Sequence, residues 1–278
     1  MRLFALVALT MCAFAANSVL NRIGVAIQGM DPMDFATIRT GAGAGMLWLL
    51  VALRTAPRPS VFTIKRLYGA TALAVYMIGF SLAYITLDAG LGALILFGVL
   101  QIVVFSWAVF EGGTIPVLRW IGAGIALTGL GVLLWPSGGA PVPISGAIAM
   151  TVAGTSWAVY TLLGRAEADP LGATASNFLL CLPMVAIAML WAGIGEMPIA
   201  GIITAIIAGA ITSGMGYALW YRALPSLPTT VAGIAQLSVP VIAVTAGVVF
   251  LSEPLTLRLI LAGGLVLGGI AVSLTARR

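Results

Sequence analysis

The side chains that could do chemistry are few, and they do not form a catalytic constellation. The chain has no histidine, its acidic residues lie near the ends of long apolar runs, and its single lysine is Lys65. A nucleotide-binding loop would need a glycine-rich segment with its own lysine, and the sequence has none. The sequence therefore predicts no enzyme activity, no ATP-driven step by this chain alone, no cofactor and no metal site. A deep carboxylate or histidine would be the usual proton relay, and its absence favours facilitated diffusion or exchange over strict proton coupling.

Amide side chains inside the apolar runs are candidates for binding a small polar ligand. Gln101 and Gln236 lie within about one turn of the centres of their predicted helices. Asn17 and Asn21 are four residues apart, so they share one helix face with Phe14. Each amide can accept from an amino group and donate to a carboxylate. The alternative for all four is a hydrogen bond between helices, which is common in membrane proteins.

Two arginines within apolar runs are candidates for binding an anion. Arg39 follows Pro32 by seven residues, which is roughly 10 Å along a helix, and Arg22 lies at a similar depth. Either can meet a substrate carboxylate in an outer vestibule. The alternative is that they reach lipid headgroups or pair with Asp31 or Asp34.

Aromatic side chains form a further candidate site. The deeper ones could pack against a flat apolar substrate: Tyr76, Phe80, Trp157 and Tyr160. Trp220 and Tyr221 lie near a predicted helix end, where aromatic rings usually anchor a helix at the membrane interface.

The composition requires that these side chains be held in a membrane. Hydrophobic residues make up 61% of the chain, charged residues 8%, and the mean hydropathy is +1.15. Soluble domains have roughly 45–50% apolar and about 25% charged residues. The long continuous apolar runs indicate helices, because backbone groups in lipid must be satisfied internally and barrel strands would alternate. The predicted fold class is an all-α membrane protein in a lipid bilayer.

Ten segments are long enough to span a bilayer core, which needs roughly 20 apolar residues. They cover 3–27, 32–53, 65–87, 89–110, 115–135, 143–164, 171–192, 199–222, 229–251 and 255–275. The first segment is interpreted as a membrane helix and not a cleaved signal, because its apolar run continues past Ala16 towards Ala26. The loops leave no room for a soluble domain.

Basic residues predict the orientation. Most of them fall into loops and ends on the side of the N-terminus, and only Arg22, Arg39 and Arg258 fall on the opposite side. The positive-inside rule therefore predicts that both termini are cytoplasmic. Since the basic residues are scattered between apolar stretches, the net charge of +5 does not indicate a nucleic-acid partner.

The two halves of the chain resemble each other. Asp31-Pro32 opens the second predicted helix as Asp169-Pro170 opens the seventh, and glycine-rich segments follow both Glu111 and Glu253. We predict two five-helix repeats, 1–135 and 143–278, joined by a linker at 136–142. An odd number of helices places the second repeat upside down relative to the first, which is typical of secondary transporters.

Matching positions in the two repeats also predict a hinge. Pro240 lies near the centre of the predicted ninth helix, where it removes a backbone hydrogen bond. Gly98 lies at the related position of the fourth helix and could loosen it. A pair of weakened helices at matching positions indicates a binding site between the repeats.

The chain resembles the drug/metabolite transporter superfamily, specifically its EamA-type ten-helix members. The residues that carry the resemblance are the run from Ser156 to Tyr160 with the later Arg165, Pro32 with Arg39, and Pro240 with Glu253-Pro254-Leu255-Thr256. The segment Ala93–Gln101, which includes Phe97, is similar to the YddG-type exporters of aromatic amino acids. Many members have a proline at the position of Gly98 and a tryptophan at that of Phe14.

The resemblance implies a carrier in the plasma membrane, the inner membrane of bacteria, that exports amino acids or similar small metabolites by alternating access. We expect a substrate cavity between helices 1, 3, 4, 6, 8 and 9, and a monomer or homodimer. A carrier of drugs or other metabolites is the alternative within the same fold. A membrane enzyme acting on lipid headgroups would need clustered His, Asp or Glu at one membrane surface, and a structural protein or a channel is a further alternative.

Overall fold

A computed structural model of the chain describes residues 2–55, 59–111, 116–135, 142–164, 167–227 and 235–275. In these ranges the chain forms a bundle of helices joined by short connections. The helices are α1 (Arg2–Arg22, continued by the π-helical Ile23–Ile27), α2 (Pro32–Ala52), α3 (Ile64–Ala83), α4 (Ala89–Phe110), α5 (Val117–Leu134), α6 (Ile144–Gly164), α7 (Pro170–Ala192), α8 (Ile199–Ile207, π-helical Ala208–Met215 and Gly216–Ala223), α9 (Ser238–Leu251) and α10 (Leu257–Thr275).

The Asp-Pro pairs begin two of these helices as the sequence predicts. The Asp31 carboxylate accepts a hydrogen bond from the Met33 N–H at 2.8 Å, and Asp169 accepts one from the Gly172 N–H at 3.0 Å. In both cases proline occupies the first helical position, where its missing N–H would have no helical partner. The two helix starts therefore use the same capping chemistry.

Most of the helices can cross a membrane. Within the described ranges, nine are long and apolar enough to do so, namely α1 to α8 and α10. Helix α9 is shorter, and the predicted ninth span also includes residues 229–234, which lie outside the described ranges. Large apolar side chains such as Phe110, Trp191 and Phe250 point outwards, as lipid-facing residues must. The prediction of an all-helical membrane protein is confirmed.

Helices α5 and α10 pack at very short distance. A Cβ atom on Gly122 would overlap the Gly269 carbonyl oxygen, and one on Gly269 would overlap the backbone of Gly122 and Ala126. Small residues are what permits such approach between membrane helices. Elsewhere α2 packs against α7, α3 against α6 and α7, α4 against α6 and α9, and α1 against α8 and α9.

Ion pairs and polar contacts identify two sides of the bundle. The first side carries Arg54, Lys65, Arg66 and Glu167, near the ends of α2 and α6 and the starts of α3 and α7. The second side carries Arg22, Asp88 and Glu253, near the end of α1, the start of α4 and the α9–α10 connection.

Two π-helical segments were not predicted. One ends α1, and the other, Ala208–Met215, lies in the middle of α8. Such segments often mark functional sites because they change the direction of the side chains that follow. The second one carries Thr212 and Ser213, both buried.

Candidate substrate-binding cavity

A cavity of about 1280 Å³ lies inside the bundle. It reaches from Glu111, Arg119 and Glu167 on the first side to Asn17 and Phe80 deep in the bundle. The prediction named helices 1, 3, 4, 6, 8 and 9 as its walls. Helices α5 and α10 contribute as well, because their close packing brings them to the cavity edge.

The structure places eight of the ten predicted binding residues along this cavity. They come from α1, α3, α4, α6 and the segment before α9: Asn17, Tyr76, Phe80, Phe97, Gln101, Trp157, Tyr160 and Gln236. The remaining two, Asn21 and Arg39, are buried outside the cavity wall. Gln101 and Gln236 are half-buried, so both amides are accessible from the cavity.

Aromatic rings form one continuous wall. The Trp157 ring centroid lies 4.9 Å from that of Tyr76, 5.4 Å from that of Tyr160 and 5.4 Å from that of Tyr217. Phe14 extends the wall with its centroid 5.7 Å from that of Tyr217. Such tilted and stacked pairs favour the packing of a further apolar or aromatic group.

The interpretation of Trp220 and Tyr221 as interface anchors is wrong. Trp220 is 8% exposed and lines the cavity with Tyr221. Both residues lie near the end of α8, as predicted, but they face the cavity and not the lipid. Tyr217 also belongs to the wall, although it was not among the predicted binding residues.

A buried polar network connects α1 to α8 at the deep end of the cavity. Thr212 and Ser213 donate to the Asn17 Oδ1 at 2.6 Å and 3.2 Å. The Asn17 Nδ2 donates to the Thr212 carbonyl oxygen at 3.3 Å. Asn21 donates to the Asn17 carbonyl oxygen at 3.1 Å and accepts from Ser81 at 3.0 Å. Asn21 thus has the helix-bridging role named as its alternative.

Arg39 lies behind the aromatic wall and not in an outer vestibule. It is 1% exposed, its Nε donates to the Ser213 Oγ at 3.2 Å, and its Nη2 donates to the Tyr76 Oη at 3.4 Å. Its guanidinium carbon is 5.0 Å from the Phe80 ring centroid. Arg39 makes no ion pair with Asp31 or Asp34 among the described residues, since Asp31 caps α2.

The second side is closed by contacts around Glu253. The Glu253 Oε1 accepts from the Ala89 N–H at 2.7 Å and lies 4.0 Å from the Arg22 Nε. Arg22 also pairs with Asp88 at 3.4 Å and donates to the Tyr84 carbonyl oxygen at 3.2 Å. Burial raises the pKa of Glu253, and the Ala89 N–H opposes this only in part. We call this set of contacts the second-side closure.

The first side is held by two ion-pair groups that leave the cavity open. Arg54 forms two 2.6 Å hydrogen bonds with the Asp169 carboxylate, and these lower the pKa of Asp169. Lys65 and Arg66 bind the Glu167 carboxylate at 2.7 and 2.8 Å. Burial raises the pKa of Glu167, but these two hydrogen bonds outweigh it and the pKa is lowered.

The two predicted hinge residues have different surroundings. Gly98 lies inside the continuous helix α4, where an added Cβ would meet the Leu130 side chain at 2.9 Å. Pro240 lies in the first turn of α9 and lines a separate apolar cavity with Leu94. Proline at this position costs α9 little, because the first N–H groups of a helix lack partners in any case.

Known proteins resemble the chain over its whole length. An uncharacterised protein of Pseudomonas aeruginosa is 42% identical over 278 residues, which is 99% of this chain and 96% of that protein. An uncharacterised transporter of Archaeoglobus fulgidus is 24% identical over 266 residues, 92% of this chain and 93% of that protein. A solved crystal structure shares the fold with a TM-score of 0.70 at 18% identity, covering 97% of this chain and 98% of that one.

Two further comparisons concern about half of the chain. The threonine/homoserine exporter RhtA of Escherichia coli strain K12 is 28% identical over 141 residues, 49% of this chain and 48% of the exporter. The model of the EamA-like transporter family matches residues 144–275, which include α6 to α10. The match to the EamA-like family and the resemblance to RhtA both point to a transporter. Residues 144–275 of the chain are therefore an EamA-like transporter domain.

Proposed function

We propose that the chain is a secondary transporter that exports small metabolites, most specifically amino acids, by alternating access. The observation that carries this proposal is the asymmetry of the bundle. A large cavity reaches the first side, whereas the second-side closure separates its deep end from the opposite surface. This is the geometry of a carrier whose cavity is open to one side of the membrane and closed to the other.

The helix contacts support two inverted repeats, 1–135 and 143–278. If α1 to α5 correspond to α6 to α10, then α2–α7, α4–α9 and α5–α10 are contacts between counterparts, and all three occur. Three further contacts have a counterpart in the other repeat. The contact α3–α6 matches α8–α1, the contact α4–α6 matches α9–α1, and the contact α3–α7 matches α8–α2. All of these contacts occur. The contacts therefore follow the symmetry that alternating access requires.

Basic residues support a cytoplasmic first side. Among the described residues that side carries Arg54, Lys65 and Arg66 in its connections, whereas the second side carries Arg22 and Arg258. By the positive-inside rule the cavity then faces the cytoplasm, as an exporter needs for loading. A periplasm-dependent reporter fused after Arg278 should be inactive, and an active one would contradict this orientation.

The cavity wall supports an amphiphilic cargo. The rings of Tyr76, Trp157 and Tyr217 suit an apolar or aromatic side chain, and the amides of Gln101 and Gln236 suit amino and carboxylate groups. The resemblance to RhtA suggests threonine or homoserine, and the resemblance of the Ala93–Gln101 segment suggests aromatic amino acids. Both classes belong in the test.

Counterflow in proteoliposomes tests the proposal. Vesicles loaded with one unlabelled amino acid receive a trace of the same labelled compound without an ion gradient, for threonine, homoserine, phenylalanine, tryptophan and leucine in turn. Accumulation above protein-free vesicles for at least one amino acid is expected. No accumulation for any of them, by protein shown to be folded, would contradict amino acids as the cargo and favour other metabolites or drugs.

A further inference from the structure

Arg39 is a buried cation without an anion. Among the described residues it donates hydrogen bonds to Ser213 and Tyr76 only, and its Nη1 has no hydrogen-bond partner there. Ion pairs among the described residues involve other arginines. A charged side chain at this depth is expensive to bury, so it usually indicates a functional partner.

Three acids on the second side have partners other than Arg39. Asp34 accepts from the Gly195 N–H at 2.9 Å through its Oδ2, whereas its buried Oδ1 has no hydrogen-bond partner among the described residues. Asp88 and Glu253 contact Arg22. The first-side acids Glu167 and Asp169 bind Lys65, Arg66 and Arg54. Arg39 is therefore not paired with an acid of its own helix or with an acid of either set of ion pairs.

The guanidinium of Arg39 is close to the cavity. Its partner Tyr76 and the Phe80 ring that it faces both line the cavity. Its other partner, Ser213, donates to Asn17, which also lines the cavity. Tyr76 and Phe80 therefore separate the guanidinium from the deep end of the cavity, where Asn17 provides an adjacent amide.

We propose that Arg39, together with the adjacent Ser213 and Asn17, binds the carboxylate of a zwitterionic cargo. This inference rests on the proposed transport function and names the class of its cargo. Arginine binds a planar carboxylate through two parallel hydrogen bonds. Arg39 has no ion pair among the described residues, so one carboxylate of the cargo balances its charge. The ammonium group of the cargo then lies beside the rings of Tyr76 and Trp157, which attract cations.

Acid and amide pairs test the proposal without any mutation. In the counterflow assay, wild-type protein is given threonine, threoninamide, phenylalanine or phenylalaninamide as the competitor of a transported labelled amino acid. The amide lacks the carboxylate but keeps the ammonium and the side chain. We expect each amide to compete roughly 10- to 100-fold less well than its acid, the range for losing a hydrogen bond to a charged group. Equal competition by acid and amide would overturn the proposal.

The variant Arg39→Gln adds a readout that a structural role would not change. In this variant the acid should lose its advantage, so that acid and amide compete equally, whereas Arg39→Lys should keep part of the preference. Arg222→Gln is the control, because Arg222 is exposed at the end of α8, and it should keep the full preference. An unchanged preference in folded Arg39→Gln would also overturn the proposal. If wild-type protein transports no amino acid, the proposed amino acid cargo itself fails, which is distinct from either result.

Discussion

Removing the Glu253 side chain should open the second side of the bundle. Glu253 is 9% exposed, and its carboxylate accepts a 2.7 Å hydrogen bond from the N–H of Ala89, a residue that is itself fully buried. In Glu253→Ala this N–H loses its acceptor as long as the second side is closed. In a state with an open second side, water supplies the acceptor, so the substitution penalises only the closed state.

The expected effect follows from the cost of a buried unsatisfied donor, about 1–3 kcal/mol. A central value of about 2 kcal/mol corresponds to a shift of roughly 30-fold in the equilibrium between the closed and open states. Glu253→Gln is the matched control. Its side chain still offers an oxygen to Ala89, and burial disfavours the charge of Glu253 as the direction of its pKa indicates, so its effect should be much smaller.

Cysteine labelling measures this equilibrium. Ala93 is buried at the deep end of the cavity, and Ala93→Cys is made in a background where the exposed Cys12 is replaced by serine. A membrane-impermeant maleimide is applied from the second side in vesicles of known orientation. Glu253→Ala should raise the labelling rate by roughly 30-fold. An unchanged rate in folded protein would refute the role of this hydrogen bond, and an equal increase in Glu253→Gln would assign the closure to charge instead.

Three further outcomes are expected. Gln101→Ala should lower the counterflow rate without lowering the yield of folded protein, and normal transport would remove Gln101 from the site. Gly122→Ala should lower the free energy of unfolding by about 1–3 kcal/mol through overpacking. Gly124→Ala should be tolerated, because an added Cβ there meets no atom within 4 Å. Thermal unfolding measures the stability of both variants against wild type. Arg54 lowers the pKa of Asp169, so the ion pair stabilises the folded protein at neutral pH and this stabilisation is lost as the pH falls below about 4. The melting temperature of wild type should therefore fall more in acid than that of Asp169→Asn, which keeps a capping side chain.

Helix positions could be predicted because they depend on local chemistry. The apolar runs set the length of each span, and Asp31-Pro32 and Asp169-Pro170 set two helix starts through capping contacts within three residues. The π-helical segment Ala208–Met215 could not be predicted in this way, because an apolar run has the same composition whether its helix is regular or not. Trp220 lies near a helix end as predicted, but the sequence does not show whether a ring there faces lipid or the cavity.

The sequence predicts which side chains line the cavity better than it predicts their hydrogen-bond partners. A polar or aromatic side chain in an apolar run has few favourable places, so Gln101 and Trp157 were assigned to an interior surface from their type and depth alone. The partner of Arg39 is different. Ser213 is 174 residues away in the chain, and no local pattern relates the two. The nearby acid Asp34 was the more obvious partner, but it binds the backbone of the α7–α8 connection instead.

A substitution of Glu111 tests the proposal of two related repeats directly. The repeats relate Glu253, just after α9, to Glu111, just after α4, and the structure finds the two acids in opposite situations. Glu253 is bound in the second-side closure, whereas Glu111 is exposed at the open first side of the cavity. If the repeats exchange their conformations during transport, Glu111 forms the equivalent contacts only when the first side closes.

Glu111→Ala should therefore destabilise the state whose second side is open, and it should lower the second-side labelling of Ala93→Cys. This is the opposite sign to the effect of Glu253→Ala. The double variant should lie between the two single variants, because each substitution penalises a different state. If Glu111→Ala instead raised the labelling as Glu253→Ala does, the two acids would not be related by the repeat, and the exchange of closures between the two sides would be wrong.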